Sequence, residues 1–293
     1  MFSRVLKEIE AFKKLNSLIR SLLKRKDSLN SETVSARFVR LFESHGVHRN
    51  QIPRFFGHDL LVADIKDDDA LLPKLTDDML DDVCELFAVK REWLDCAQST
   101  VYEVHDFYRH VDEFSNLLDR LEANNPDGSI DGRLYAPLEK CNDAGALIVL
   151  DETIGFVGDK SISRYHLCGN WRFDYWKSRV YLAACVGIAW KRNIYIDGVK
   201  LSMGAISQYE FGEKLLGECG EGLVVMRGER WHPEDMLDTP DVFLHGIEPE
   251  DNNHGVKCGL ERWLELCSQG YMDAGNDVAK AKSSFELALS RVN

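Results

Sequence analysis

Long apolar runs, paired cysteines and catalytic signature motifs are all missing from this chain of 293 residues. No apolar stretch approaches the roughly 20 residues that cross a bilayer, which argues against a membrane-spanning protein. The first residues interleave charged with apolar side chains, so the sequence predicts no secretory signal. We therefore expect the protein to stay where it is synthesised.

The eight cysteines form no Cys-x-x-Cys pair, and most lie inside apolar stretches such as residues 182–186. That placement is typical of buried free thiols in a reducing compartment rather than of disulfides or a zinc site. We expect a cytoplasmic protein without a bound metal.

Signals of catalysis are weak throughout the chain. Neither Gly-x-Ser-x-Gly nor His-Glu-x-x-His occurs. The glycines of residues 217–222 precede a predicted strand, whereas phosphate-binding glycines follow a strand and open a helix. His166 and Cys168 have no second ligand pair at matching spacing. Asp151 and Glu152 are expected at a solvated strand end, so the sequence predicts a non-catalytic protein without a cofactor.

What the chain does have is the composition of a water-soluble folded protein, with 44% hydrophobic and 29% charged residues. Its length is enough for two domains. The net charge of -13 is uneven, because residues 1–60 hold 12 Lys and Arg against 6 Asp and Glu while residues 61–293 are acidic. Only the basic part attracts a phosphate backbone, and the acidic C-terminal surface is suited to a protein partner.

A heptad-like pattern predicts an amphipathic helix over residues 1–27. Its apolar stripe alternates by three and four positions and contains Val5, Ile9, Phe12, Asn16 and Ile19. A helix of this length is marginal alone in water, so the stripe must be covered. Packing on the same chain, a homodimer contact with Asn16 setting the register, and binding to a membrane surface are the alternatives.

Residues 31–98 are expected to form a compact bundle of five short helices. The first helix is predicted to end near Gly46, since glycine readily adopts the left-handed conformation that stops a helix. Short helices are expected over residues 49–56 and 60–65. Thr76 is the predicted N-cap of a longer helix with a buried apolar stripe.

The end of this bundle carries a recognisable pattern. In residues 80–94 a helix ending in Ala-Val is followed by a short helix that contains Trp93 and Leu94. Together with residues 37–46 and 47–57, this run resembles the Xre or Cro/C1 repressor-like helix-turn-helix family over about 65 residues. The resemblance implies a DNA-binding domain whose recognition helix enters the major groove.

The segment in which that family reads DNA, residues 57–69, is apolar and acidic here. Carboxylates repel phosphates, so the usual recognition helix is a poor reader of DNA. Contact with double-stranded DNA then depends on polar side chains of the preceding helices, namely Arg37, Arg40, Arg49, Asn50, Gln51 and Arg54. The alternative is a bundle that no longer reads DNA and binds a protein partner.

The remainder of the chain is predicted to be mixed α+β, with a connecting helix over residues 101–124 and a small sheet covered by helices over residues 130–293. Short apolar runs predict strands at residues 146–150, 165–168, 194–196 and 223–226. Helical spacing predicts helices over residues 175–192, 203–216 and 260–267. We expect this part to sense a ligand or to dock a partner.

The most distinctive segment of that part is residues 164–179, which is dense in aromatic and basic side chains. Flat rings and guanidinium planes stack readily on a ligand, which makes candidates of Tyr165, Trp171, Arg172, Trp176 and Arg179. A strand-to-helix corner of the core is the competing interpretation, and it is favoured because Trp176 and Ala183 share one helical face.

Together these patterns predict a non-catalytic, cytoplasmic, bacterial-type transcriptional regulator, dimeric through residues 1–27 and able to bind DNA through its bundle. The alternative is a protein-interaction or scaffold component with a helix-turn-helix fold. An enzyme of unrecognised type is the third class.

Overall fold

A computed structural model describes residues 32–140, 142–217, 228–275 and 277–292. The predicted helix over residues 1–27, with its dimer contacts Val5, Ile9, Phe12, Asn16 and Ile19, lies outside these residues. The predicted strand at residues 223–226 also lies outside them.

The N-terminal half of the described chain begins with a bundle of short helices. They are α1 (Val34–Ser44), α2 (Ile52–Phe56), α3 (Asp68–Leu71), α4 (Asp77–Phe87) and α5 (Arg91–Leu94). The predicted cap is present, because the Thr76 hydroxyl accepts a hydrogen bond from the Met79 amide at 3.3 Å. Gly46 follows α1 with a φ of 87°, as the left-handed stop requires.

One predicted helix of the bundle is absent from its expected place. Residues 60–65 form turns, and the helical segment begins later, at Asp68. The reason is local side-chain chemistry: the Asp64 carboxylate accepts from the Leu61 amide at 2.9 Å, and Asp67 caps α3 through the Ala70 amide. Aspartate in such positions favours turns and helix starts over helix interiors.

A six-stranded mixed sheet follows the bundle. Its strands are β1 (Val104–Asp106), β2 (Ile130–Pro137), β3 (Gly145–Val157), β4 (Lys160–Arg172), β5 (Ile196–Leu201) and β6 (Glu229–Trp231). The strand order is β1-β4-β3-β2-β5-β6. Strands β2, β3 and β4 form an antiparallel meander, while β1 and β5 run parallel to β4 and β2.

The remaining helices are α6 (Val111–Asn124), α7 (Trp176–Lys191), α8 (Met203–Ile206), α9 (Asp235–Asp238), α10 (Pro240–Leu244), α11 (His254–Ser268) and α12 (Val278–Val292). Helix α7 is buried on nearly every side. Only the first turn of the helix predicted over residues 203–216 forms, as α8. The connecting helix begins at Val111, because β1 takes up residues predicted to be helical.

The sheet has a hydrophobic cluster on each face. Leu134, Ile148 and Leu150 pack with α6, α7, α11 and α12. On the opposite face Tyr135 and Val149 join the cluster that contains the core of the bundle. The class is α+β, and the bundle packs on one face of the sheet.

The hairpin of β3 and β4 is much longer than the two short strands predicted for it. A two-residue turn joins the strands at Gly158, whose φ is 63°. Glu152, predicted at a solvated strand end, therefore lies in the middle of β3 and is fully buried. The prediction failed because the polar residues after Leu150 interrupt the apolar pattern, whereas backbone pairing continues to Val157.

Candidate functional site

The buried carboxylate of Glu152 holds a network of polar side chains on the neighbouring strands β3 and β4. Arg164, its cross-strand partner on β4, donates from Nε to Oε2 at 2.6 Å and from Nη2 to Oε1 at 2.7 Å. His166 Nε2 lies 2.8 Å from Oε2, and the Asn125 amide donates to Oε1 at 3.1 Å. Both carboxylate oxygens are thus bound by cationic or amide groups, which a buried charge requires.

The charge of Glu152 is fixed by these partners. Burial alone would raise the pKa of its carboxyl, but the hydrogen bonds from His166 and Arg164 outweigh burial and lower the pKa to about 2. Arg164 also donates from Nη1 to the Glu85 carbonyl at 3.2 Å. The network therefore ties the sheet to the end of α4 in the bundle and sets the orientation of the His166 ring.

Next to this network lies a cleft of about 440 Å³, which we call the junction cleft. The bundle, β1, α6 and β4 all contribute to its wall. Its lining residues are Ala88, Val89, Lys90, Glu103, His105, Leu117, Arg120, Leu121, Asn124, Tyr165 and His166. A cleft at the junction of several elements, with a few polar groups over an apolar floor, is the usual form of a ligand site.

The polar lining of the junction cleft is mainly cationic or hydrogen-bond donating. Lys90 and Arg120 have no ion-pair partner among the described residues, and Glu103 is the one carboxylate in the lining. Burial lowers the pKa of His105, so this ring is neutral at neutral pH. In a chain with a net charge of -13, this local excess of cations favours an anion.

One histidine of the cleft lining is oriented by a carboxylate. His166, held by Glu152, has the arrangement of an oriented acid–base histidine. The lining residues include no serine, threonine or cysteine that it would activate. Among the described residues no group of three His, Cys, Asp or Glu side chains is placed to hold a metal ion.

Arg37, one of the predicted DNA contacts, lies inside the bundle. Its side chain is fully buried, pairs with Glu32 at 3.0 Å and donates to the carbonyls of Trp93 and Gln98. This placement removes Arg37 from any DNA-facing surface. The sequence pattern did not reveal it, because the residues that bind the guanidinium lie five residues before it and some 60 after it along the chain.

Two further predicted DNA contacts are bound within the bundle. Arg40 pairs with Glu32 at 2.5 Å and stacks on the ring of Trp93. Arg49 pairs with Asp68 at 2.6 Å and donates to the Ile65 carbonyl.

The other three predicted DNA contacts lie at the start of α2. The Gln51 side chain accepts from the His48 amide at 3.0 Å, so it stabilises the chain entering α2. Asn50 and Arg54 are exposed. Gln51 and Arg54 line a groove of about 310 Å³ whose opposite wall is residues 154–158 of the β3–β4 hairpin. The hairpin therefore flanks the helix that would face DNA.

The five aromatic and basic side chains predicted to hold a ligand do not converge. Tyr165 packs on the bundle side of the sheet, whereas Trp171 is buried on the other side. Arg172 is exposed and pairs with Asp143 and Asp174, and Trp176 stacks with Lys177. Arg179 is fully buried.

Those positions agree with the competing interpretation of residues 164–179 as a corner of the core. Of the five predicted ligand contacts, only Tyr165 lines the junction cleft. It also stacks on His45 with ring centroids 5.4 Å apart. Burial lowers the pKa of His45 to about 4, so this ring packs between bundle and sheet in its neutral form.

The residues that form the junction cleft were mostly missed in the sequence. Lys90, His105 and Arg120 come from three separate segments that only the folded chain brings together. The sequence does offer a signal for His166 and Glu152, because a histidine and a carboxylate within strand-like runs are unusual in a core and indicate a buried polar contact. Their pairing across β3 and β4 required the register of the hairpin.

Comparison with family models, with curated proteins and with solved structures finds no match to this chain. None of the helices in the described ranges combines the length and apolar character of a membrane span. The six cysteines described in the structure are free.

Proposed function

We propose that this protein is a non-catalytic cytoplasmic regulator that binds a small anionic ligand in the junction cleft. The observation that carries the proposal is the position of Lys90 and Arg120, which line one cleft from the bundle and from α6. An anion between them would connect the bundle to the sheet part. A ligand changes a conformational equilibrium only through contacts that differ between the states, and a bridging anion supplies such contacts.

Substitution of Arg120 tests this proposal. We expect wild-type protein to bind pyrophosphate or citrate in calorimetric titrations, and Arg120→Gln to weaken binding about tenfold, the effect of losing one charge-assisted hydrogen bond. Arg291→Gln, an exposed arginine at the other end of the chain, is the matched control. Absence of binding by either probe at millimolar concentration, or an equal loss in the control variant, contradicts the proposal.

For the bundle, the structure favours a protein partner over DNA, because Arg37, Arg40 and Arg49 are occupied by internal contacts. The surrounding surface carries exposed carboxylates of residues 57–82, which suit a basic protein surface and repel phosphate. Binding of double-stranded DNA by the bundle stays a prediction, and it depends on Asn50 and Arg54. Homodimer formation through residues 1–27 also stays a prediction.

A gel-shift series separates the two partners. We expect the double substitution Asn50→Ala and Arg54→Ala to leave any retardation of random duplex at about 50 mM salt within twofold of wild type, since a bundle that binds a protein has no phosphate contact to lose. Circular dichroism of the variant shows whether the bundle is intact. A tenfold or larger loss of duplex binding in a folded variant would show that the bundle binds DNA through Asn50 and Arg54.

A further inference from the structure

A second cleft, of about 560 Å³, lies on the sheet face that the bundle covers only in part. We call it the open-face cleft. Its lining comes from β2, β3, β4 and the start of β5, and it includes Asp131, Arg133, Asp151, Phe156, Tyr195 and Asp197. Side chains that alternate along neighbouring strands form its floor, so their positions are set by the sheet.

Two carboxylates of this cleft face each other across neighbouring strands. Asp131 on β2 and Asp151 on β3 are direct antiparallel partners. Like charges in that position destabilise a sheet, and burial together with the charge of Asp131 raises the pKa of Asp151. Arg133 lies 4.0 Å from Asp151, while Asp131 has no ion-pair partner among the described residues. A cation bound between the two carboxylates would remove the repulsion that the sheet register imposes on them.

Exposed aromatic rings are an independent feature of the same cleft. Phe156 is 66% exposed and Tyr195 is 50% exposed, and both line the cleft. Large rings left open to water beside carboxylates form a surface that attracts organic cations through the ring face.

We propose that the open-face cleft binds an organic polyamine. Its ammonium groups would pair with Asp131 and Asp151, next to Asp197, which pairs with Arg230 at 3.8 Å, and its methylene chain would lie along Phe156 and Tyr195. A metal ion fits less well, because no three carboxylate or histidine groups among the described residues are arranged as ligands. The proposal does not depend on the junction cleft, which has the opposite charge.

The test is calorimetric titration of the full chain with spermidine, paired with thermal unfolding. Asp131→Asn removes one of the two facing carboxylates, so we expect it to weaken spermidine binding at least tenfold. The same variant is expected to raise the unfolding midpoint of the free protein by about 1 to 3 °C, because the repulsion across β2 and β3 disappears. If Asp131 had only a structural role, its substitution would lower the unfolding midpoint.

Asp78→Asn is the control, since Asp78 is an exposed carboxylate of α4 outside the cleft. We expect this variant to bind spermidine as wild type does. Phe156→Leu keeps an apolar side chain but removes the ring, and we expect it to weaken binding about threefold. The proposal is overturned if wild type does not bind spermidine, if Asp78→Asn loses as much affinity as Asp131→Asn, or if magnesium ion displaces spermidine at equal concentration.

Discussion

Replacing Glu152 by glutamine is expected to lower the free energy of unfolding by about 3 to 5 kcal/mol, the range for a buried ion pair that loses one partner. Glutamine has nearly the same volume, so the loss reports the charge and not a cavity. The Arg164 guanidinium would stay largely buried beside a neutral amide, and the contact of Glu152 with His166 would weaken. Urea denaturation at neutral pH measures the change.

Glu229→Gln is the control for this substitution. Glu229 pairs with Lys200 at 3.1 Å on neighbouring strands, but its side chain is mostly exposed. An exposed pair contributes about 1 kcal/mol or less, because water screens both charges. If Glu152→Gln costs no more than Glu229→Gln, the Glu152 network does not hold β3 and β4 together.

The same carboxylate gives the protein a defined sensitivity to acid. The pKa of Glu152 in the folded chain is about 2, below its usual value of 4.5. A group whose pKa is lower in the folded state stabilises the fold above its unfolded pKa, and this contribution is lost as the pH falls through the folded value. Between pH 5 and pH 2, wild type should therefore lose more stability than Glu152→Gln.

Two helix boundaries that depend on local chemistry were predicted from the sequence. Thr76 caps α4 and Gly46 ends α1 because a hydroxyl and a residue without Cβ act on their immediate neighbours. The α+β class followed from the change of apolar spacing after the bundle. The length of β3 and β4 did not follow, since backbone pairing continues where the apolar pattern stops.

The candidate site was harder to predict because its residues depend on contacts between distant segments. Arg37 was a candidate DNA contact because of its basic side chain, yet Glu32 and two carbonyls fix it inside the bundle. The apolar pattern predicts a solvated strand end at Glu152, whereas the register of the hairpin places Arg164 opposite to it. Burial and partner identity are tertiary properties, and spacing alone does not contain them.

The largest effect outside the Glu152 network is expected at Arg179, in the segment that first pointed to a ligand. Its buried guanidinium donates to the carbonyls of Phe173, Phe243 and His245, which joins α7 to the end of β4 and to α10. Burial lowers its pKa to about 9, so it remains a cation at neutral pH.

Lysine at position 179 keeps the charge but not the planar set of donors, so we expect Arg179→Lys to cost about 3 to 5 kcal/mol in urea denaturation. Arg230→Lys is the matched control, because that arginine and its partner Asp197, 3.8 Å away, are both mostly exposed, so the change should cost about 1 kcal/mol or less. Hydrogen exchange should accelerate in α10, whose last carbonyls lose their donor. Equal costs for the two variants would mean that packing of Phe243, and not Arg179, holds α10 against the sheet part.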